Sequence, residues 1–129
     1  MRKHILLVDD SRMVRSLARN CLEAHAGLEI CGEASDGEEG IAKAMELSPD
    51  LIVMDLSMPK MNGLEAAREL TRVMPLLPIL MYTSFISSNI SAEALAAGVS
   101  RVASKPSLPD ALIKDLRMLL HLQANPSAC

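Results

Sequence analysis

The sequence predicts an α/β fold, a doubly wound parallel sheet of five strands with helices on both of its faces. Apolar stretches of strand length alternate five times with segments of helical periodicity along the 129 residues. Neighbouring parallel strands need crossover connections, and helical crossovers cover both faces of a sheet. The length suits one domain with a substantial core.

The five predicted strands are short apolar runs. They are HILLV (4 to 8), LEIC (28 to 31), LIVM (51 to 54), PILMY (78 to 82) and VSRVA (99 to 103). HILLV and LIVM are the most continuously apolar, which is the pattern of a strand covered on both faces. We therefore expect these two strands in the middle of the sheet.

The intervening segments predict amphipathic helices. The apolar positions with helical spacing are Val14, Leu17, Ala18, Cys21 and Leu22 near the start, and Leu112, Ile113, Leu116, Leu119 and Leu120 near the end. Side chains that can accept hydrogen bonds from the first backbone N–H groups mark the helix starts. These are Ser11, and the pairs Asp36 with Glu39, Asn62 with Glu65 and Ser107 with Asp110, which have the spacing of a capping box.

Composition argues against several classes of protein. No apolar run approaches the length of a membrane span, and MRKHILLVDD lacks a signal-peptide pattern, so we expect a soluble, cytoplasmic protein. A net charge of −3, one Phe, one Tyr and no Trp offer no basic stripe or stacking platform for nucleic acid. Cys21, Cys31 and Cys129 form no CxxC pair, which argues against a disulfide framework or zinc site. We expect the first two in the core.

Carboxylates end two of the predicted strands. Asp9 and Asp10 follow the first strand, and Asp55 follows the third. Functional groups of an open parallel sheet gather beyond the carboxyl ends of the strands, so the three carboxylates converge if the two strands are neighbours. Like charges at such short range favour a neutralising cation, and Mg²⁺ is a hard ion that prefers oxygen ligands. The sequence therefore predicts a magnesium site.

The fourth and fifth strands end in groups that suit an anion. Thr83 and Ser84 offer hydroxyls and backbone donors, and Lys105 offers an ammonium. An ammonium opposite a metal–carboxylate cluster indicates an anion whose oxygens are shared between two cations, and a phosphoryl group fits best. Asp55 is our candidate nucleophile, because it is the only carboxylate that stands alone at its strand end.

The chain resembles the receiver domain of two-component response regulators from about residue 3 to residue 121. The motifs that carry the resemblance are VDD at 8 to 10, DLSMPKMNG at 55 to 63, TS at 83 and 84, and KP at 105 and 106. They occur in the family's order and on the expected elements. The resemblance implies a flavodoxin-like sheet with the strand order 2-1-3-4-5.

The resemblance also implies a phosphoacceptor switch, which catalyses only its own phosphorylation and slow dephosphorylation. Asp55 would accept phosphoryl from a phosphohistidine on a sensor histidine kinase or phosphotransfer protein, or from a small donor such as acetyl phosphate. Asp10 and Asp55 would bind Mg²⁺ directly, Asp9 directly or through water, and Ser57 through its main-chain carbonyl.

The remaining family roles fall on the fourth and fifth strands. Thr83 and Lys105 would bind phosphoryl oxygens, with assistance from the backbone N–H of Ser84. In this family, the proline at the position of Pro106 commonly follows a cis peptide that holds the lysine in place.

One position departs from the family pattern. Many receivers carry an aromatic residue three positions before the lysine, where its rotamer reports phosphorylation, and here that residue is Val102. Val102 has no aromatic ring whose rotamer could give the usual readout. Tyr82 lies beside Thr83, but adjacent strand residues face opposite sides of a sheet, which favours a core tyrosine. Phe85 either overhangs the phosphoryl group and slows its hydrolysis, or packs on the next helix.

The stretches GLEICGEASDGEEGIAKA and DLSMPKMNGLEAAREL resemble receivers that are attached to a C-terminal helix-turn-helix. We expect a receiver domain at residues 1–121 and a tail or linker remnant at 122–129. A natural single-domain regulator and a receiver excised from a longer protein both stay open, as does a phosphorylation-dependent dimer. The effector or output domain stays unnamed, and we expect no membrane or direct nucleic-acid binding.

Two rival interpretations of the acids differ in what they predict for the sequence. A phosphatase or mutase with an aspartyl nucleophile usually carries DxD on its first strand, which VDDSR lacks. A pseudo-receiver, which keeps the fold without the chemistry, should lack the acids, and all of them are present.

Overall fold

A computed structural model describes residues 2–25, 27–84, 86–105 and 109–124 and confirms the predicted fold. The strands are β1 (Lys3–Val8), β2 (Leu28–Ala34), β3 (Leu51–Met54), β4 (Ile79–Thr83) and β5 (Arg101–Ser104). The helices are α1 (Arg12–Glu23), α2 (Gly37–Leu47), α3 (Gly63–Val73), α4 (Ser88–Ala96) and α5 (Pro109–Ala124). The strands form one sheet in the order β2-β1-β3-β4-β5, and each neighbouring pair is parallel.

The two most apolar strands, β1 and β3, lie inside the sheet as predicted. β1 and β3 are neighbours, and their apolar residues are buried on both faces. β2 is longer than predicted, because its register with β1 shifts once and then continues through Ala34. β5 begins two residues later than predicted, at Arg101. Ser100 precedes it and contacts Ile79 twice, because its N–H donates to the Ile79 carbonyl and its hydroxyl accepts from the Ile79 N–H.

The two faces of the sheet bury separate cores. One core packs Leu6, Val8, Ile52 and Met54 against α2, α3 and α4, and we call it the α2–α4 core. The other packs Ile5, Leu7, Leu51 and Val53 against α1 and α5, and we call it the α1/α5 core. Neighbouring residues of a strand point into different cores, as strand geometry requires. The predicted stripe of α5 lies in the α1/α5 core at Ile113, Leu116 and Leu120, and Leu119 is partly buried against it. The side chain of Leu112 lies outside the described part of the chain.

The predicted helix starts agree with the structure in most details. Ser11 accepts from Val14 N–H at 3.2 Å, and Asn62 and Glu65 form a reciprocal capping box. Asp36 accepts from Glu39 N–H at 2.8 Å, but the Glu39 carboxylate bonds the backbone of the preceding serine rather than that of Asp36. The predicted pair of Ser107 with Asp110 lies outside the described residues. α4 has an unpredicted cap, Ser87.

The predicted core face of α1 is too wide. Ala18 and Leu22 are buried, whereas Leu17 is 63% exposed. Periodicity gives the direction of an apolar stripe but not the width that its neighbours cover, so the inclusion of Leu17 was wrong.

Cys21 and Cys31 are only partly buried at the edges of the two cores, and Cys129 lies outside the described residues. Among the described helices, none is long and apolar enough to cross a membrane.

Candidate functional site

Three carboxylates meet at the carboxyl edge of the sheet. β1 and β3 pair in register, and the Asp55 N–H donates to the carbonyl of Val8 at 2.9 Å, so the ends of the two strands are level. One carboxylate oxygen from each of Asp9, Asp10 and Asp55 lies within 4.8 Å of the others. The acids that the sequence places at separate strand ends therefore form one cluster.

Backbone donors orient two of these carboxylates. Asp9 and Asp55 are 6% and 8% exposed, whereas Asp10 is exposed. Asp9 Oδ1 accepts from Ser11 N–H at 2.9 Å, and Asp55 Oδ1 accepts from Leu56 N–H at 2.8 Å. One oxygen of each buried acid is thus held by the main chain, which directs the other oxygen into the cluster.

The ammonium of Lys105 lies over those remaining oxygens. Lys105 Nζ is 2.5 Å from Asp9 Oδ2 and 3.4 Å from Asp55 Oδ2. The Lys105 N–H donates to the carbonyl of Thr83 at 2.8 Å, which continues the β4–β5 pairing by one residue and fixes the base of the side chain. The two buried carboxylates therefore share one cation.

The environment of Asp55 changes its acidity. Burial raises the pKa of the Asp55 carboxyl; the nearby Lys105 ammonium acts to lower it, and Asp9 acts to raise it. The net shift is upward, so Asp55 is a stronger base than an exposed aspartate. A stronger base is generally a better nucleophile once it is deprotonated.

The other predicted site residues lie nearby at the same edge. Thr83 is the last residue of β4, and its side chain is fully buried. Ser84 follows it and is exposed, as is Ser57, which lies two residues beyond Asp55. Phe85 and Pro106, for which the sequence suggested roles, lie outside the described residues.

The loop after β3 is packed closely against the end of β3. Gly63 N–H donates to the carbonyl of Leu56 at 2.8 Å, and a Cβ on Gly63 would lie 2.3 Å from the carbonyl oxygen of Asp55. Gly37 N–H donates to the carbonyl of Met61 at 3.0 Å and has room for no side chain either. Two glycines therefore let the loop close over the end of β3.

Sequence reasoning missed an arginine behind the acids. Arg15 Nη1 donates to the carbonyl of Asp9 at 2.6 Å, and Arg15 Nε donates to Glu33 at 2.9 Å. Arg19 Nε donates to the other oxygen of Glu33 at 2.8 Å. Burial acts to raise the pKa of Glu33, but hydrogen bonds from Arg19 and Arg15 outweigh it and leave the pKa lowered.

A signal for this group was present in the sequence. Arg15 and Arg19 are one helical turn apart, so they share a face of α1. Glu33 was not recognised as their partner because the predicted second strand ended at residue 31. A strand that continues to Ala34 brings Glu33 opposite both arginines.

The donor set fits a hard divalent cation. Three carboxylates supply oxygen ligands and negative charge at short range, which Mg²⁺ and similar ions prefer over nitrogen or sulfur. Among the described residues, this is the group of acidic, histidine or cysteine side chains whose ligand atoms are close enough together to hold a metal ion.

The fold and the acidic edge define the class of protein. The model of the response regulator receiver domain matches residues 5–117, so the chain belongs to the receiver-domain family of two-component response regulators. Phosphotransfer is the general mechanism of this family.

Individual relatives agree with this assignment. The response regulator protein VraR of Staphylococcus aureus is 41% identical over 117 residues, which cover 88% of this chain and 56% of the relative. This chain therefore spans a little over half the length of such relatives.

Solved structures show the same fold. The response regulator domain of Thermotoga maritima CheB is similar with a TM-score of 0.88 and 30% identity, over 94% of this chain and 98% of that one. A LuxR-family two-component response regulator from Aurantimonas sp. SI85-9A1 has a TM-score of 0.89 and 32% identity, over 93% of this chain and 86% of that one.

Proposed function

We propose that the chain is a phosphoacceptor switch and that Asp55 takes up the phosphoryl group. The observation that carries this proposal is the arrangement at the sheet edge. Oxygens of Asp9, Asp10 and Asp55 converge within 4.8 Å, and Lys105 Nζ contacts two of the three acids. Such a cluster suits a group that brings several negatively charged oxygens of its own.

The transfer step uses Asp55 Oδ2, because Asp55 Oδ1 already accepts a hydrogen bond from the Leu56 N–H. Asp55 Oδ2 attacks the phosphorus of a phosphohistidine; a P–O bond forms, and the P–N bond breaks. The bonding electron pair leaves with the imidazole nitrogen of the donor, whose other ring nitrogen carries a proton, so the histidine leaves as a neutral imidazole. With acetyl phosphate, a P–O bond breaks instead and acetate leaves.

Mg²⁺ would be held by the carboxylates of Asp9, Asp10 and Asp55 and by the main-chain carbonyl of Ser57. When bound, the ion supplies positive charge that offsets the three acids and the phosphoryl oxygens. Lys105 supplies a second positive charge on the β5 side, where it can exchange a carboxylate contact for a phosphoryl oxygen.

Thr83 and Ser84 complete the phosphoryl site in this proposal. The Ser84 N–H donates to a phosphoryl oxygen, and the Thr83 hydroxyl does so after its buried side chain turns toward Asp55. Attack of water on the phosphorus of the aspartyl phosphate then releases phosphate and resets the switch. The chain thereby catalyses its own phosphorylation and dephosphorylation and acts on no separate substrate.

The donor in the cell would be a sensor histidine kinase or a phosphotransfer protein, in the cytoplasm. We place the receiver domain at residues 1–121 and a tail or linker remnant at 122–129. The relatives extend well beyond the matched region, which supports an output domain or a separate effector as the partner of the switched surface.

Intact mass spectrometry after incubation with acetyl phosphate and Mg²⁺ tests the proposal. We expect the mass to increase by one phosphoryl group, and we expect Asp55→Asn to abolish the increase because the amide keeps the shape but is no nucleophile. Uptake at another residue in Asp55→Asn would overturn the assignment. A wild-type protein that takes up no phosphoryl would support the pseudo-receiver, and turnover of a phosphomonoester would support the enzyme.

A further inference from the structure

Tyr82 lies against the ammonium of Lys105. The Nζ atom is 5.6 Å from the centroid of the tyrosine ring, which is within the range of a cation–π contact. The same Nζ contacts Asp9 Oδ2 and Asp55 Oδ2. The ring is therefore a third partner of the ammonium, and it is the uncharged one.

Strand register brings the ring to the lysine. Tyr82 on β4 pairs with Ala103 on β5, and Lys105 lies two residues beyond Ala103 on the same side of the sheet. Diagonal neighbours on adjacent strands are close enough for an aromatic ring and a long side chain to touch.

The acids lie on this side of the sheet as well. Leu7 and Val53 point into the α1/α5 core, so Asp9 and Asp55, two residues further along each strand, point to the same side. Tyr82 packs partly buried against that core and lines a narrow pocket together with Asp9, Arg15 and Asp55. This packing holds the ring in place. Tyr82 therefore contacts the core, as expected, and also borders the acidic cluster.

Val102 lies on the other side of the sheet. It pairs with Met81 and packs against the α2–α4 core. The residue that replaces the usual aromatic of the family therefore has a different neighbourhood from the chain's single tyrosine.

We propose that Tyr82 is a positioning residue for Lys105, which holds the ammonium where an oxygen of the incoming phosphoryl group meets it; this role rests on the proposed function. A lysine side chain is long and flexible, so an uncharged contact at its end restricts it without competing for the charge that it must give to the phosphoryl group. Asp9 and Asp55 hold the ammonium through charge, and a phosphoryl group that arrives competes with them for it. The contact with the uncharged ring does not depend on that competition.

The test compares Tyr82→Leu with Tyr82→Phe. We expect Tyr82→Leu to slow phosphoryl uptake from acetyl phosphate at saturating Mg²⁺ by about three- to tenfold, the scale of a partly desolvated cation–π contact. Mg²⁺ affinity should stay unchanged. Tyr82→Phe keeps the ring and should keep the wild-type rate. Leu119→Ala, which removes packing from the same core away from Lys105, controls for loss of stability.

A double-mutant cycle separates positioning from general packing. In a Lys105→Met background, Tyr82→Leu should have no further effect on the rate, because the group through which the ring acts is gone. An equal slowing in both backgrounds, or a Tyr82→Phe variant as slow as Tyr82→Leu, would overturn the proposal.

The contact can also be measured without any phosphoryl donor. The ring proton resonances of the single tyrosine should shift in Lys105→Met, and unchanged resonances would overturn the contact. Absence of uptake by the wild-type protein would overturn the proposed function and this role with it. Wild-type uptake with an equal rate for Tyr82→Leu would overturn only the role of Tyr82.

Discussion

The two halves of the site are held in different ways. On the β1–β3 half, Asp9 and Asp55 each have one oxygen fixed by a backbone N–H. On the β4–β5 half, Lys105 reaches the acids through a long side chain whose end contacts carboxylates and a ring. The main chain therefore orients the acids of the β1–β3 half, whereas contacts between side chains hold the ammonium of the β4–β5 half.

A metal-ligand variant should break the β1–β3 half with the largest effect. We expect Asp10→Ala to lower Mg²⁺ affinity by more than about tenfold and to lose phosphoryl uptake with it. The same change should raise the melting temperature in EDTA, because it removes one of three like charges. Metal titration tests the first expectation and melting curves the second; unchanged affinity would contradict the ligand assignment, and a lower melting temperature would contradict the repulsion.

On the β4–β5 half, we expect Thr83→Ala to spare phosphoryl uptake but to uncouple it from the structural change around α4. In the proposed function, the Thr83 hydroxyl binds the phosphoryl group after transfer, whereas Asp55 attacks phosphorus. In the wild type, a stable phosphoryl mimic should change amide exchange strongly at residues 86–96 and weakly around Val102. We expect Thr83→Ala to lose the first change.

Ser84→Ala is the matched control for this prediction, because the proposed contribution of Ser84 is a backbone N–H that alanine retains. A largest exchange change at residues 101–104, with 86–96 silent, would show that coupling runs through β5 instead.

Arg15 offers a smaller perturbation of the acidic half. Arg15→Gln removes the charge-assisted donor to the Asp9 carbonyl, and we expect it to cost about 1–3 kcal/mol of stability and to weaken Mg²⁺ binding severalfold. Arg19→Gln is the control, since it also loses a pairing with Glu33, together with an exposed one to Glu23, and the polar contacts of Arg19 in the structure are with these two glutamates. Equal Mg²⁺ affinities for the two variants would mean that Arg15 stabilises α1 without orienting the acid.

The smallest expected effect is on stability without metal. The folded-state pKa of Asp55 is raised above its ordinary value of 3.8, so the ionised carboxylate opposes folding above the raised pKa and has no such effect below 3.8. In EDTA, Asp55→Asn should therefore raise the melting temperature at neutral pH, and the gain should shrink as the pH falls through the raised value. A gain that is constant from neutral to acidic pH would point to packing instead of charge.

The features that the sequence predicted well are the local ones. A strand that ends in Asp9 or Asp55 can be recognised from its own residues, and the convergence of strand ends follows from the parallel sheet. The side of β4 that Tyr82 faces could be worked out, but its meeting with Lys105 depends on the register of β5, which begins two residues later than predicted. The bond from Arg15 to Asp9 depends on how α1 packs beside β2, which periodicity does not report.

The closure of the loop after β3 has a consequence for protein engineering. Gly63 touches the carbonyl of Asp55, and the carbonyl of Met61 accepts from Gly37 at the start of α2. The segment DLSMPKMNG therefore has to keep the length and shape that bring the carbonyl of Met61 to Gly37 on α2. A chimaera that exchanges this segment between receivers has to carry residue 37 along with it, and an insertion between residues 55 and 63 would displace the backbone of Asp55.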